Sequence, residues 1–401
     1  MSGQLQRTKA YFDPTPDRRY PTLPDRPTEE TINLRFAPNN KQCPLNRIIT
    51  GSLNEGKLRM YRRWAKAAHR RWDRNCRGFN HLITARPGQG KTFIEKCWAE
   101  SIGIPFVFVQ SGGLKDTWDL HQQIAKECEK VKLTLVPDKR LDKKADFVYP
   151  PIIVLFDEVH ETKMDLQKGP LLNPMEPDDG YMHIREPGQN GDRFVADCHN
   201  VCWVGATTDP QELFDAFRSR FLNEIQWASA TGEELPAIIK AGLDAKVEKG
   251  ELPFAAPLDV CRMITKYQTV PRLAIHSFGA QVILQKEEMK SYTWDEAVAQ
   301  VASDFEYDKY GLTRRQVLIL SALGQRPIAK ARLGNICQCR TEEVESVELP
   351  GLQQYTNGGP FCTSVSGRGL CITEAGLAEL DKRGIGHHGR KVTAEHFEAK
   401  R

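Results

Sequence analysis

The stretch from residue 81 to residue 95, HLITARPGQGKTFIE, constrains the fold more than any other part of this 401-residue chain. An apolar run leads directly into PGQGKT at residues 87–92, and a helix-forming sequence follows. A strand, a tight loop and a helix start in this order predict a phosphate-binding loop. In such a loop the glycines let the backbone approach an anion, and the helix N-terminus points at it. Lys91 would reach the β and γ phosphates of a nucleotide, and Thr92 would ligate Mg²⁺.

The loop departs from the usual pattern, G-x-x-x-x-G-K-[ST], because Ala85 stands where the first glycine is expected. Alanine still permits a tight bend, at some conformational cost. The alternative is a glycine-rich connection that holds no ligand, but a Gly-Lys-Thr triplet after an apolar strand favours the phosphate loop. The candidate nucleotide-binding residues are Ala85, Arg86, Pro87, Gly88, Gln89, Gly90, Lys91, Thr92 and Phe93.

Bulk properties set wide limits on the protein class. The length predicts two or three domains, and a net charge of +4 is too small to indicate nucleic-acid binding by itself. No apolar run approaches the ~20 residues of a membrane-spanning helix, and MSGQLQRTKA lacks the apolar core of a signal peptide. We therefore expect a cytoplasmic protein without membrane contact.

Eleven cysteines are scattered over the chain, and this pattern fits reduced thiols better than a disulfide framework. A zinc site is the alternative, but the spacing of Cys337, Cys339, Cys362 and Cys371 matches no standard zinc-binding motif.

Two further apolar runs end in polar residues that suit nucleotide chemistry. The run at 152–156 is followed by Asp157 and Glu158, which places two carboxylates at the C-terminal edge of a parallel sheet, where α/β folds bind ligands. Asp157 would hold Mg²⁺, and Glu158 would polarise the water that attacks the γ phosphate. The alternative is an acid pair that caps a helix. The run at 201–206 ends in Thr207 and Thr208, either of which could orient that water.

Basic residues present two open questions. Arg218 and Arg220 in FRSRF are either surface charges or guanidinium groups that serve a nucleotide in a neighbouring subunit. A helix is predicted over residues 54–77, and between residues 57 and 77 nine Lys or Arg residues accompany a single acid, Asp73. This helix is either a solvated basic face or a phosphate-contacting surface.

The order of these motifs resembles an AAA+ ATPase and, more narrowly, the RuvB family of Holliday-junction branch-migration motors. The resemblance runs from about residue 44 to residue 380 and rests on the loop, DEVH at 157–160, GATT at 205–208, RSRF at 218–221 and VPR at 270–272. It implies bound ATP and Mg²⁺. The site residues that it implies are Gly88 to Thr92 (Walker A), Asp157 and Glu158 (Walker B), Thr208 (sensor 1), Arg220 or else Arg218 (arginine finger), Arg272 (sensor 2), and Ile48 and Ile49 (adenine side).

The resemblance and the residue patterns together predict an α/β fold with an AAA+ P-loop core around a parallel sheet, a small helical lid and a C-terminal winged helix. The expected boundaries are a Pro-rich N-terminal arm at 1–44, the core at 45–228, the lid at 229–305, the winged helix at 306–388 and a tail at 389–401. The lid helices are predicted at 233–247, 257–266 and 272–288. The polar segment 131–149 is expected to be a surface insertion.

The winged helix is predicted from helices at 313–323, 328–337, 341–349 and 373–382, with two short strands around Phe361 and Leu370. Arg368 would lie at the wing tip, where it could contact DNA. The charge count argues against DNA contact, because residues 306–388 contain ten Lys or Arg and nine Asp or Glu and so have no net basic character. A winged helix that packs only against proteins is therefore the alternative.

The resemblance implies an ATP-hydrolysing motor on junction or duplex DNA that works as a homo-oligomeric ring or spiral. Residues 181–194 could form a hairpin that docks a protein partner, but the polar turn at 187–191 means that a RuvA partner does not follow. Asp209 stands where RuvB has arginine. The alternatives are a loader or ATP switch that assembles on DNA without processive movement, and a winged-helix regulator with a degenerate nucleotide fold.

Overall fold

A computed structural model describes most of the chain and separates it into two units. The described residues are 28–37, 39–71, 76, 78–130, 136–137, 145–176, 180–188, 191–230, 232, 234–353, 360–365 and 369–387. The first unit comprises the described residues up to 85 and those of 91–228, and the second comprises 86–90 and those from 229 onward. No helix within these ranges is both long enough and apolar enough to cross a membrane.

A five-stranded parallel sheet forms the centre of the first unit. Its strands are β1 (His81–Thr84), β2 (Phe106–Gln110), β5 (Ile152–Asp157), β8 (Val201–Thr207) and β9 (Asn223–Gln226), in the order β2-β5-β8-β1-β9. The expected parallel sheet is therefore confirmed, with β9 as a strand that the sequence pattern did not reveal.

The apolar run of β5 explains why this strand lies inside the sheet. Residues 152–156 are all fully buried, because helices cover both faces of a parallel sheet. Alternate side chains enter two different cores. Ile153 and Leu155 pack on the face with Trp98, whereas Val154 and Phe156 pack on the face with Trp203.

A smaller four-stranded sheet has two strands that precede β5 in the chain and two that lie between β5 and β8. Its strands are β3 (Val136–Pro137), β4 (Phe147–Val148), β6 (Tyr181–Arg185) and β7 (Arg193–Asp197), in the order β3-β4-β7-β6. β6 and β7 pair antiparallel and confirm the predicted hairpin. The expectation of a surface insertion at 131–149 is wrong for its last part, since β4 joins this sheet and Tyr149 is fully buried.

Seven α-helices are found among the described residues of the first unit. They are α1 (Glu29–Arg35), α2 (Ser52–Arg70), α3 (Lys91–Ile102), α4 (Thr117–Lys130), α5 (Met164–Gln167), α6 (Leu172–Met175) and α7 (Asp215–Arg218). α2 ends seven residues before the predicted helix end because Arg71 turns extended and its guanidinium lies over the Phe79 ring. The later part of the Pro-rich arm is not extended, since α1 buries Ile32 in the core; residues 1–27 lie outside the described ranges.

The second unit contains the predicted lid helices and the C-terminal elements. They are α8 (Leu235–Glu248), α9 (Leu258–Tyr267), α10 (Pro271–Leu273), α11 (Gly279–Glu288), α12 (Trp294–Asp304), α13 (Arg314–Gln325), α14 (Leu333–Cys337), α15 (Thr341–Glu343), α16 (Leu349–Gln353), β10 (Cys362–Val365), β11 (Gly369–Ile372) and α17 (Glu374–Lys382). A π-helical turn at 274–278 joins α10 to α11. The eleven cysteines of the chain all lie within the described residues, and none of them forms a disulfide.

The C-terminal part differs from the prediction at one helix. Residue 328 was expected to begin a helix, but Ile328 exchanges two backbone hydrogen bonds with Leu370, at 3.0 and 2.8 Å, and is extended. The tertiary pairing with β11 outweighs local helix propensity here. β10 and β11 form the predicted hairpin. Since Ile328 adds a third extended segment, the arrangement is typical of a winged helix, which stays a prediction.

Residues 86–90 belong to the second unit because Gly88 packs against the segment before α10. Gly88 has φ +74°, and a methyl group on its Cα would lie 2.6 Å from Val270 Cγ1 and 3.3 Å from Arg272 Cβ. Two constraints therefore select glycine here: a left-handed backbone and a close approach to a stiff, β-branched side chain.

Gly88→Ala tests this packing. The substitution should cost about 1–2 kcal/mol for the left-handed backbone and a further penalty of about 1–3 kcal/mol for overpacking against Val270. Gly250→Ala is the matched control, because Gly250 has the same φ of +74° and nothing within 4 Å of the added methyl group. Urea unfolding followed by circular dichroism measures both, and equal losses would contradict the packing. Adding Val270→Ala should recover part of the loss in Gly88→Ala.

Candidate functional site

Three strands of the parallel sheet end side by side and bring the predicted site residues of the first unit to one edge. Thr84 at the end of β1 is in register with Thr207 at the end of β8, and β8 also pairs with β5. The segments that follow, which begin at Ala85, Glu158 and Thr208, therefore leave the sheet at its carboxyl edge. This is the edge where open α/β sheets bind ligands.

Ala85 fits its position without strain. It is not among the residues with positive φ, and its N–H donates to the Thr207 carbonyl at 3.3 Å. The missing first glycine of the motif therefore costs nothing in backbone geometry. The two glycines that the pattern retains, Gly88 and Gly90, do have positive φ, at +74° and +83°.

Lys91 is held inside the site by two oxygen atoms. Its side chain is only 7% exposed, and Nζ donates to the Ala85 carbonyl at 3.2 Å and to Glu158 Oε1 at 3.4 Å. A buried ammonium group requires such partners, since an uncompensated charge would be costly. Lys91 is thus oriented toward the acids that follow β5.

Glu158 accepts hydrogen bonds on both carboxylate oxygens. Oε1 accepts from Lys91, and Oε2 accepts from the backbone N–H and the hydroxyl of Thr208, both at 3.2 Å. The backbone of Glu158 has φ +46°, a left-handed conformation that is uncommon outside glycine. Strained residues of this kind concentrate at functional sites. Three predicted site residues therefore meet at one carboxylate.

His160 is a member of this group that sequence reasoning did not assign. Its Nδ1 lies 2.8 Å from Thr207 Oγ1 and 3.5 Å from Glu158 Oε2. Thr207 Oγ1 also accepts from the Asp209 N–H at 3.0 Å, so its proton is free to be donated to His160. The histidine links the end of β5 to the end of β8. The sequence signal that could have identified His160 is its position three residues after Asp157.

The loop residues of the second unit contact the lid sequence. The Gln89 side chain is buried, and its Oε1 accepts from the Ala230 N–H at 3.3 Å while its Nε2 has no partner among the described residues. Arg86 donates to the Gln353 carbonyl. Burial lowers the pKa of Arg86. Pro87 and Gly90 are exposed. Arg272, the sensor 2 candidate, is exposed at the centre of α10 and has its Cβ beside Gly88.

The two candidate finger arginines are both paired with acids inside the chain, in different ways. Arg218 forms a fork with Glu224, with Nε and Nη2 at 2.6 and 2.8 Å from the two carboxylate oxygens. This hydrogen bonding raises the pKa of Arg218 and lowers the pKa of Glu224. Arg220 makes a contact with Glu176 at 2.7 Å through Nη2, and its buried Nε has no partner within the described ranges. Arg220 is therefore the less firmly held of the two.

The remaining predicted residues occupy varied environments. Ile48 is buried in the core and is committed to packing, whereas Ile49 is half-buried. Thr92 is half-buried at the start of α3, and Phe93 is half exposed. Asp157 is the last residue of β5, in register with Gln110. Arg368 lies outside the described residues.

Part of the basic surface of α2 has local hydrogen-bonding partners. Arg59 and Arg70 pair with Glu55 and Glu29, and several other basic side chains donate to neighbouring oxygen atoms. These further donors are Lys57 to Asn54, Arg62 to Asn46 and Lys66 to Asn33. The two ion pairs offset charge, whereas the asparagine oxygens are neutral, so the solvated face and the phosphate-contacting surface both stay open as interpretations of this helix.

The donor set suits a hard cation that is shared with a nucleotide. Thr92 supplies a hydroxyl and Asp157 a carboxylate, which are ligands that Mg²⁺ uses together with substrate phosphates and water. No group of three or more His, Cys, Asp or Glu side chains in the described part of the chain could hold a metal by itself. The residues therefore fit a nucleotide-bound Mg²⁺ better than a protein-only metal centre.

Comparisons with known proteins agree with this geometry. Residues 81–228 match the family described as "ATPase family associated with various cellular activities (AAA)". Among solved structures, a RuvB variant of Thermotoga maritima is similar with a TM-score of 0.59 and 19% identity, over 84% of this chain and 97% of that chain. The T. maritima RuvB Holliday junction branch migration motor matches with a TM-score of 0.53 and 21% identity, over 75% and 87%. The search of curated proteins gave no match.

The matched segment includes all five parallel strands, the loop, Glu158, Thr208 and both candidate finger arginines. The likeness to the RuvB structures extends over most of both chains and shows a shared fold. Residues 81–228 are an AAA domain of the AAA ATPase family, in a chain that has the fold of RuvB.

Proposed function

We propose that this chain is an ATP-hydrolysing motor that acts on junction or duplex DNA as a homo-oligomeric ring or spiral. The observation that carries the proposal is the group around Glu158, where the phosphate-loop lysine and the residue after β8 both donate to one carboxylate. Lysine, acid and hydroxyl in this arrangement suit the hydrolysis of a nucleoside triphosphate.

Each residue of the group has a chemical role in this proposal. Lys91 binds the β and γ phosphates, and Glu158 accepts the proton of the attacking water. Thr92 and Asp157 would hold Mg²⁺, which when bound neutralises charge on the phosphate oxygens. Thr208 fixes Glu158 Oε2 through two donors, so that the carboxylate keeps one orientation. His160 supports this arrangement from Thr207.

The contacts of Glu158 suggest how phosphate binding would affect its role as a base. Both of its oxygens already accept from donors, and the donor to Oε1 is Lys91. At 3.4 Å this contact is long, and a triphosphate offers the lysine better acceptors. When Lys91 turns to phosphate, Oε1 becomes available to a water molecule. Substrate binding would thus make Glu158 Oε1 accessible to the attacking water.

Oligomer formation is supported by the arginines that follow the sheet. A guanidinium that stabilises charge on a transferring phosphoryl group can come from a neighbouring subunit. Arg220 has only a single contact with Glu176 to break, whereas Arg218 would have to give up a fork of two charge-assisted hydrogen bonds. We therefore assign the finger to Arg220.

Action on DNA rests on the fold and on the C-terminal elements. One solved structure with this fold is a Holliday junction branch migration motor. The β10–β11 hairpin with the Ile328 pairing supports a winged helix, and we propose that Arg368, which comes between β10 and β11 in the sequence, contacts DNA. Residues 341–349 are less suited to DNA contact, since Glu343 is acidic and pairs with Arg315 at 2.5 Å.

Two substitutions test the nucleotide chemistry. Lys91→Ala should abolish ATP turnover because the phosphates lose their cation. Glu158→Gln should retain ATP binding and lower turnover by a factor of roughly 10²–10⁴, the usual contribution of a general base. Binding is measured with a fluorescent ATP analogue and turnover by phosphate release. Full turnover in Glu158→Gln would contradict the assigned base.

Arg220→Ala tests the contribution between subunits. The variant alone should lose turnover, by up to roughly 10³-fold. Mixed with Lys91→Ala subunits it should recover turnover, because those subunits are inactive yet carry an intact arginine. Arg218→Ala is the matched control and should keep most of the activity. A monomer with full turnover would rule out a shared site.

The motor and the switch differ in whether ATP hydrolysis moves the DNA junction. A motor should show ATP turnover that DNA stimulates and should migrate a synthetic four-way junction when ATP is present, with both properties absent in Lys91→Ala. A loader or switch would bind DNA and hydrolyse ATP but leave the junction in place. Migration is followed by gel electrophoresis of labelled strands, with a non-hydrolysable ATP analogue as the control.

A further inference from the structure

The outer face of the β6–β7 hairpin carries a pair of arginines that the site described above does not use. One face of the hairpin enters the core, and Met182, Ile184 and Ala196 on it are buried. The opposite face presents Arg185 and Arg193, both exposed. β6 is the edge strand of its sheet.

Arg185 and Arg193 stand directly opposite one another in the register of the hairpin. Residues in this relation have Cβ atoms roughly 4.5–5.5 Å apart, and like charges in such a pair destabilise a sheet. Neither guanidinium has an ion pair or a hydrogen bond within the described ranges, in contrast to Arg218, Arg220 and Arg383, which all hold carboxylates. Folding alone therefore gives no reason for the pair.

Nearby acids within the described ranges form no ion pair with the two arginines. Glu186 and Asp192 come next along the strands, but alternation directs them to the other face. Their backbones are joined by a hydrogen bond of 2.9 Å from the Glu186 N–H to the Asp192 carbonyl, so the ladder continues past the arginines. The Asp146 carboxylate accepts from the Val195 N–H at 2.9 Å. The pair is thus two adjacent positive charges on a rigid ribbon.

The chemistry of the pair favours phosphate. Guanidinium groups bind phosphate oxygens through two parallel hydrogen bonds, and two of them side by side match a polyanion. The described residues at the end of the hairpin expose no large hydrophobic side chain for protein docking, since the exposed ones are Pro187, Gly188 and Asp192. We infer that Arg185 and Arg193 contact backbone phosphates of DNA. This inference rests on the DNA part of the proposed function and adds a second contact surface, in the first unit.

Replacement of both arginines by threonine tests the inference. Threonine suits a strand, and the removal of like-charge repulsion should leave the melting temperature of Arg185→Thr/Arg193→Thr equal to or above that of the natural chain. Binding to a fluorescently labelled duplex is measured between about 50 and 200 mM salt. The slope of log K against log salt should decrease in magnitude by about 0.9 for each phosphate that the protein no longer neutralises, or about 1.8 in total.

The matched control removes the same charge from positions that already have partners. Arg59→Gln/Arg262→Gln affects two exposed arginines that pair with Glu55 and Asp259, and its slope should stay that of the natural chain. An equal slope in the threonine variant and the natural chain overturns the inference. So does a variant that loses binding to poly-glutamate while its DNA slope is unchanged, which would assign the pair to an acidic protein segment.

ATP turnover in the absence of DNA is measured on the same protein preparations. This measurement distinguishes a failure of the hairpin contact from a failure of the proposed function. A natural chain that hydrolyses ATP but binds no duplex would overturn both the hairpin contact and the DNA part of the proposed function. A natural chain that binds duplex with the same salt slope as the threonine variant would overturn the hairpin contact alone. Unchanged basal turnover in the variant is expected, because neither arginine contacts the Glu158 group.

Discussion

Parallel pairing of β5 with β2 and β8 is the interaction on which the candidate site depends. Because parallel strands end at the same edge, the pairing brings Glu158 and Thr208, 50 residues apart in sequence, to hydrogen-bonding distance. The pairing is stable because β5 is apolar along its whole buried length and packs into a separate core on each face. The polar chemistry is thus confined to the strand ends, where backbone and side chains can face a ligand.

The same edge explains why Glu158 adopts a left-handed backbone. At φ +46° the Glu158 carboxylate accepts from both donors of Thr208, the residue that follows β8. The cost of such a conformation is of order 1–3 kcal/mol and has to be offset by the surrounding contacts. Lys91 contributes to this, so the lysine stabilises the acid as well as being the expected phosphate ligand.

Much of the fold, and the grouping of several candidate site residues at one sheet edge, could be predicted because hydrophobic periodicity and motif spacing are local signals in the sequence. The PGQGKT run, the apolar β5 and the β6–β7 hairpin were all found from sequence. What local patterns missed was decided by distant partners. Ile328 is extended because Leu370 pairs with it, and β9 is a strand because β1 borders it. The role of His160 depends on Thr207, 47 residues away, so only the structure could reveal it.

Gly88 connects the phosphate loop to the lid sequence in a way that bears on movement. The loop backbone lies so close to Val270 that even a methyl group does not fit between them, and Gln89 is tied to Ala230. Packed contacts of this kind transmit displacement, because close-packed interiors do not deform gradually. Under the proposed function, a phosphate that shifts the loop would therefore also displace the start of α10, which carries Arg272. This steric contact would act on α10 before any charge on Arg272 takes part.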